Sequence, residues 1–201
     1  MRSFFLAACV ATLLFSCKKD NDSDAPGAPL PPPVERDGIF YLDLQDFSVT
    51  ENSRKRLDLD GDGVWDFSFS TLRIGDPLNN EDRTEFFVGS NQHAYLMFNS
   101  TENVPAFTSG QEIPLGNTDG WNWFEIGYSV LIAKIIRTTP PVLWDGSWKT
   151  TQNRFIPVQL RRAAGIYCGW IEVSADTAGS RVILHRVAIS RVANKTIKAG
   201  E

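Results

Sequence analysis

Histidine and cysteine are scarce in this chain, which has two histidines and three cysteines among 201 residues. A catalytic zinc site usually takes two or more histidines close together, but His93 and His185 lie in separate strand-like runs. The chain also lacks a His-Glu-x-x-His pair, a Gly-x-Ser-x-Gly elbow and a phosphate-binding glycine loop. We therefore expect a protein that is not an enzyme. A triad of distant residues stays open, because such groups meet in space and not in sequence.

An excess of charge of one sign is also missing. The chain has 20 Lys and Arg against 24 Asp and Glu, a net charge of −4. This mild acidity gives no reason to expect a nucleic-acid partner. The length favours one folded domain.

The N-terminus carries the features of an export signal. Arg2 precedes an apolar run from Phe4 to Phe15, which is too short to span a bilayer as a permanent helix. The run ends in Leu14-Phe15-Ser16-Cys17, which resembles a bacterial lipobox, although Phe15 is bulkier than the usual residue. We predict a signal peptide over residues 1–16 and lipid attachment at Cys17, with a plain secretory signal as the alternative.

A polar segment follows the acylated cysteine. It begins with Lys18-Lys19-Asp20 and has five prolines between Ala25 and Val34, a composition that favours extended chain. We predict a tether over residues 17–37 and a folded domain over 38–201. The charged cluster resembles the export signal of surface lipoproteins in Bacteroidota-type bacteria. This resemblance implies a lipid anchor in the outer membrane with the domain at the cell surface; the periplasmic face is the alternative.

The densest chemical signal is the segment from Asp58 to Asp66. Carboxylates stand at its first, third, fifth and ninth positions, and Gly63 stands at the sixth. This is the spacing of an EF-hand-type loop, and Ca²⁺ takes six to eight oxygen ligands. The predicted Ca²⁺ ligands are Asp58, Asp60, Asp62, the carbonyl of Val64, and Asp66. The alternative is an acidic turn that binds nothing.

The predicted calcium loop is incomplete at its twelfth position, where Phe69 replaces the usual Glu. Asp43, Asp46 and Glu81 are candidates to complete the ligand set. The loop opens into alternating aromatic and polar residues, which indicate a strand. We therefore expect a structural and not a catalytic calcium site.

The rest of the chain reads as short strands between turns. Phe67–Ile74, Phe155–Leu160, Tyr167–Val173 and Arg181–Val192 are predicted strands, and 75–83 is a predicted loop. The β-branched residues of 127–137 favour a strand over a helix. The spacing predicts an all-β fold, an antiparallel β-sandwich of jelly-roll or lectin-like type. Cys168, without an intramolecular partner, is interpreted as a small buried residue and not a nucleophile.

Two blocks together resemble a known group of proteins. The first is Asp58 to Phe67; the second comprises 165–173, 182–189 and 197–200. The pairing of an Asp-rich loop with a Gly-Trp-Ile strand and a closing Ile-x-Ala-Gly resembles uncharacterised secreted bacterial β-sandwich proteins, some of them lipoproteins. The resemblance implies a β-sandwich and the metal, and it implies no activity.

Tryptophans are the remaining candidates for a ligand site. Trp121 and Trp123 would point the same way on a strand, and Trp144 and Trp148 flank a turn. Exposed, the four would form a platform for sugar rings; buried, they would fill the core. We expect a non-catalytic binding module for a glycan or an outer-membrane protein. An accessory subunit of an outer-membrane complex and a polysaccharide hydrolase are the alternatives.

Overall fold

The computed structural model describes residues 30–139 and 141–201. The predicted signal peptide, Cys17 and most of the predicted tether lie outside the described residues. Twelve strands are present in the described part of the chain, bounded as follows: β1 Val34–Arg36, β2 Ile39–Val49, β3 Arg54–Leu57, β4 Phe67–Asp76, β5 Glu81–Ser90, β6 Ala94–Phe98, β7 Asn122–Glu125, β8 Tyr128–Arg137, β9 Leu143–Asp145, β10 Arg154–Arg162, β11 Gly165–Asp176 and β12 Arg181–Ser190. Among these residues no helix has the length and apolar character needed to cross a membrane.

The strands form two sheets whose neighbouring strands all run antiparallel. Sheet A has seven strands in the order β1-β2-β12-β11-β10-β6-β7, and sheet B has five in the order β3-β4-β5-β8-β9. The two sheets pack face to face, and along each strand the residues that point between the sheets alternate with residues that point away, as in a β-sandwich. The predicted antiparallel β-sandwich is confirmed.

Sheet A is covered on both faces. Phe67, Phe69 and Phe86 from sheet B pack with Val158, Ile171 and other residues of sheet A in the main core. A second buried cluster includes Trp123, Phe155, Cys168 and Trp170 with Ile113 and Ile197. The N–H of Ile113 donates to the carbonyl of Ile197 at 2.8 Å, so the long loop after β6 and the C-terminal segment meet over this cluster.

The folded part begins before the predicted boundary at residue 38. Asp37 and Gly38 both have positive φ, 55° and 74°, as a two-residue type I′ hairpin requires. The turn pairs Val34–Arg36 with β2, so Arg36 lies opposite Ile39. Leu30 also packs against the main core. The C-terminal part of the predicted tether therefore belongs to the folded domain. Asp37-Gly38 forms the turn of a β-hairpin and is not part of a linker.

Several strand predictions are confirmed and others need correction. Residues 128–137 form a strand, as predicted. The predicted loop at 75–83 is wrong, because β4 and β5 continue to a turn at residues 77–80. The short strands β3, β7 and β9 were not predicted; each lies at or near a sheet edge and is too short for an alternating pattern.

A bulge at His185 interrupts the alternation of side chains between the two faces of β12. The register shifts between Leu184 and Arg186 against β2. As a result Leu184 and Val187 both reach the main core, whereas Ala188 joins the second cluster. An extra residue in one strand reverses the faces beyond it.

Candidate functional site

The acidic loop links β3 to β4, and backbone hydrogen bonds hold its two ends together. The N–H of Asp66 donates to the carbonyl of Leu57 at 2.8 Å, and the N–H of Asn91 donates to the carbonyl of Asp66 at 2.8 Å. Leu59 is completely buried and holds the loop to the core. The loop is thus fixed at both its ends and at one point between them.

Carboxylates of the loop organise its backbone. Asp58 accepts the N–H of Gly61 at 2.7 Å through Oδ1 and the N–H of Gly63 at 2.9 Å through Oδ2. Gly63 has φ 86°, the left-handed conformation that favours glycine. The glycine at the sixth position therefore allows the loop to turn sharply.

Three of the four predicted acidic ligands converge. Asp58, Asp60 and Asp66 each offer an oxygen, and these oxygens all lie within 4.8 Å of one another. Asp62 is outside this group, and its Oδ1 accepts the N–H of Val64 at 2.7 Å. Hard oxygen donors in such a cluster suit Ca²⁺.

Arg162 is a member of the site that the sequence did not reveal. Its Nε lies 2.8 Å from Oδ2 of Asp60, and its Nη2 lies 3.2 Å from Oδ1 of Asp66. Arg162 ends β10, about a hundred residues further along the chain, so only the tertiary fold brings it there. One guanidinium leaves excess negative charge on three carboxylates, which a divalent cation would balance.

Asp66 is the buried member of the cluster. Burial raises its pKa to about 6, and the charge of Asp60 adds to this rise. The N–H of Leu59, which donates to Oδ2 at 2.7 Å, and the guanidinium of Arg162 lower the pKa and limit the rise. A carboxylate held in a partly desolvated place and facing a second carboxylate gains from a nearby cation.

The candidates for completing the ligand set lie in other contacts. Asp43 accepts the N–H of Gln45 at 2.8 Å, and Asp46 lies 2.5 Å from His185. Glu81 pairs with Arg137 at the far end of the β4–β5 hairpin. None of these three joins the cluster of Asp58, Asp60 and Asp66.

Of the two arrangements that the sequence leaves open for the four tryptophans, the exposed platform is not formed. Trp148 is 1% exposed and its Nε1 donates to the carbonyl of Val104; Trp123 is 7% exposed and its Nε1 donates to the carbonyl of Gly116. Trp121 and Trp144 are half-buried, each against a core cluster. The four residues therefore belong to two cores and not to one exposed groove, because their large rings gain more by filling the interior.

Ser174, His185 and Asp46 lie in line on neighbouring strands. Nε2 of His185 is 2.7 Å from Oγ of Ser174, and Nδ1 is 2.5 Å from Oδ1 of Asp46. This is the order of a Ser-His-Asp triad. His185 is an unpaired bulge residue of β12, and residues 44–46 of β2 opposite it are also unpaired, so these irregularities aim the side chains of His185 and Asp46. Sequence reasoning did not find the line, because its members are far apart in the chain.

The accessibility of the serine differs from that in a catalytic triad. Ser174 is 2% exposed, and its Oγ also accepts the N–H of Asn153 at 2.8 Å. The acid, Asp46, is instead largely exposed, with 76% of its side chain accessible. A substrate carbonyl would need to reach the enclosed hydroxyl. The arrangement fits a structural hydrogen-bond network that links β2, β12 and β11.

Cys168 is fully buried, as the sequence predicts. Burial raises the pKa of its thiol to about 11, and the side-chain amide of Gln159 nearby opposes this rise. The thiol therefore stays protonated and enclosed at neutral pH, which is typical of a packing residue.

Comparison with protein-family models, with curated proteins and with solved structures gave no match.

Proposed function

We propose that this chain is an exported lipoprotein whose β-sandwich is a non-catalytic binding module stabilised by one Ca²⁺. Cys17 carries the lipid, and the tether holds the domain away from the outer membrane, at the cell surface or on the periplasmic face. The observation that supports this proposal best is the convergence of Asp58, Asp60 and Asp66 within 4.8 Å. Calcium is plentiful outside cells, where such sites bind at roughly 10⁻⁴–10⁻³ M.

A bound Ca²⁺ would raise the free energy of unfolding of the domain. A metal that binds only the folded state stabilises it by RT ln(1 + [L]/Kd). With calcium at about 2 mM and a Kd on the order of 10⁻⁴ M, this amounts to about 1.8 kcal/mol. For a domain of this size the midpoint of thermal unfolding then rises by roughly 4–7 °C.

Thermal unfolding of the full chain with calcium and with a chelator tests this proposal. The wild-type protein should unfold at a higher temperature in calcium, and Asp60→Asn should remove most of the difference. Asp119→Asn, at an exposed carboxylate outside the loop, is the control and should keep it. Equal midpoints in calcium and chelator would overturn the calcium site.

An accessory subunit of an outer-membrane assembly is the second candidate function. Ile74, Arg83, Ile135 and Leu143 are neighbours in register across sheet B, so they share its outer face. Ile74 and Leu143 are about 40% exposed. Exposed apolar residues beside an arginine are typical of protein contact surfaces, where Arg is enriched. Co-purification of one stoichiometric membrane partner after cross-linking would favour this function over a ligand-binding role.

A further inference from the structure

A groove opens where β7 passes into β8, at the corner between the two sheets. It has a volume of about 480 Å³ and is lined by Phe98, Glu102 and residues 124–128. We refer to it as the corner groove. Two of its aromatic residues are unusually accessible: Phe124 is 52% exposed and Tyr128 is 70% exposed. Exposed rings at a concave surface are typical of binding sites and not of a core.

The rings are held in place. Phe124 packs on Phe98 with ring centroids 5.9 Å apart, and Tyr128 packs edge-on against Phe87 at 6.3 Å. The N–H of Gly127 donates to Oγ of Ser90 at 3.0 Å. A Cβ at Gly127 would stand 2.6 Å from the ring of Phe98. The corner groove is therefore preformed, which lowers the entropy cost of binding.

Ile126 is in a strained conformation at the rim of the corner groove. Its φ is 51°, although β-branched residues rarely adopt the left-handed region. Its side chain is nevertheless 67% exposed. Asn or Gly would fit this backbone with less strain. An exposed apolar residue at a strained position gains nothing for the fold, and such strain is often found at ligand sites.

The charge of the corner groove has one sign. Glu102 and Glu125 line it, and no Lys, Arg or His does. Glu125 accepts the N–H of His93 at 2.6 Å and the phenol of Tyr95 at 3.1 Å, and these hydrogen bonds lower its pKa. Glu102 has no ion-pair partner among the described residues. Aromatic faces beside carboxylates attract cations and repel anions.

We propose that the corner groove binds a Lys or Arg side chain presented by a partner protein, with Phe124 and Tyr128 contacting its stem and cation, and Glu102 its charge. This proposal rests on the proposed binding role of the domain and names the class of ligand. A long basic side chain fits both parts of the site, because its stem is apolar and its end is cationic.

Titrations followed by ¹⁵N NMR test the proposal with defined probes. Nα-acetyl-lysine methylamide and the arginine equivalent should shift the amides of Gly127 and Tyr128. The norleucine equivalent, with a similar stem and no charge, should shift them much less. Glu102→Gln and Tyr128→Ala should each weaken binding by roughly 2–5-fold. Leu78→Ala, at a residue 94% exposed outside the groove, is the control and should bind normally.

Ile126→Asn supplies a second readout. Relief of backbone strain should raise the melting midpoint by roughly 2–4 °C, while loss of the apolar rim should weaken binding of the basic probes. A higher midpoint with unchanged binding would overturn the role given to Ile126.

Other outcomes of the titrations would overturn the proposal itself. Equal shifts with norleucine would show a site without charge recognition. Shifts with methyl glucoside and none with basic probes would show a sugar site. No response to any probe would leave the groove without the assigned ligand class. The calcium-dependent melting shift is independent of these variants, so failure here and failure of the calcium site are distinguishable.

Discussion

Arg162→Gln removes the guanidinium that pairs with Asp60 and Asp66 and keeps a polar side chain in its place. The side chain of Arg162 is 26% exposed and that of Asp66 is 3% exposed. Breaking a buried ion pair costs about 3–5 kcal/mol, because a charge is left unpaired. Partial exposure of Arg162 places the cost near the lower end, about 3 kcal/mol in the absence of calcium. The melting midpoint should then fall by roughly 6–12 °C.

Calcium should change the size of this loss. A bound divalent cation supplies positive charge to the same carboxylates, and removal of Arg162 also removes its repulsion of the cation. We expect the loss in about 2 mM calcium to be less than half the loss in chelator. Thermal and urea unfolding of both proteins in both buffers give the four values required.

Arg181→Gln is a matched control for this experiment. Arg181 pairs with Asp176 at 2.8 Å, but the side chain of Arg181 is 42% exposed. An exposed pair contributes about 0–1 kcal/mol, so its loss should be small and independent of calcium. If Arg162→Gln lost equal stability in calcium and in chelator, the cluster would be a plain ion-pair network, and the reasoning would be refuted.

Three further predictions concern other parts of the fold. Gly146 has φ 105°, and a Cβ there would overlap the carbonyl oxygen of Leu131. Gly146→Ala should therefore lower the free energy of unfolding in urea by about 2–4 kcal/mol. Gly116 has open space around it, so the control Gly116→Ala should lower it by less than about 0.5 kcal/mol. The Cys168 thiol, with its pKa raised to about 11, should resist Ellman's reagent until the protein unfolds, and rapid labelling of Cys168 in the native protein would contradict its burial. The free energy of unfolding should fall as pH rises above about 9, since the thiol ionises first in the unfolded chain. Ser174 should not react with a fluorophosphonate probe, and Ser174→Ala should lower stability by about 1 kcal/mol; labelling of the wild-type protein that is lost in Ser174→Ala would establish a nucleophile instead.

Local patterns in the sequence predict much of this fold. Alternation predicts the long strands, and the β-branched residues of 127–137 predict a strand in place of a helix, which is β8. The bulge at His185 is not predictable in this way, because 182–184 and 187–189 are apolar at every position and do not show which face each residue takes. The Asp37-Gly38 turn shows the opposite case, since its hairpin signal is present in the sequence but stands next to a proline-rich segment.

The candidate calcium site is predictable in its local part only. The spacing of Asp58, Asp60 and Asp66 is local, and the three carboxylates do converge. Arg162 reaches them through the pairing of β10 with its neighbours, which no spacing rule contains. The burial of Trp123 and Trp148 likewise depends on which face of each sheet the loops cover. Long-range contacts therefore decide what local patterns leave open.

The central claim, a calcium ion held by the acidic loop, is tested most directly by crystals of the full chain grown in about 5 mM calcium. An anomalous difference map should show one peak among the carboxylates of Asp58, Asp60 and Asp66, with oxygen ligands at roughly 2.3–2.6 Å. A map without that peak, in which the guanidinium of Arg162 still bridges Asp60 and Asp66, would contradict the account.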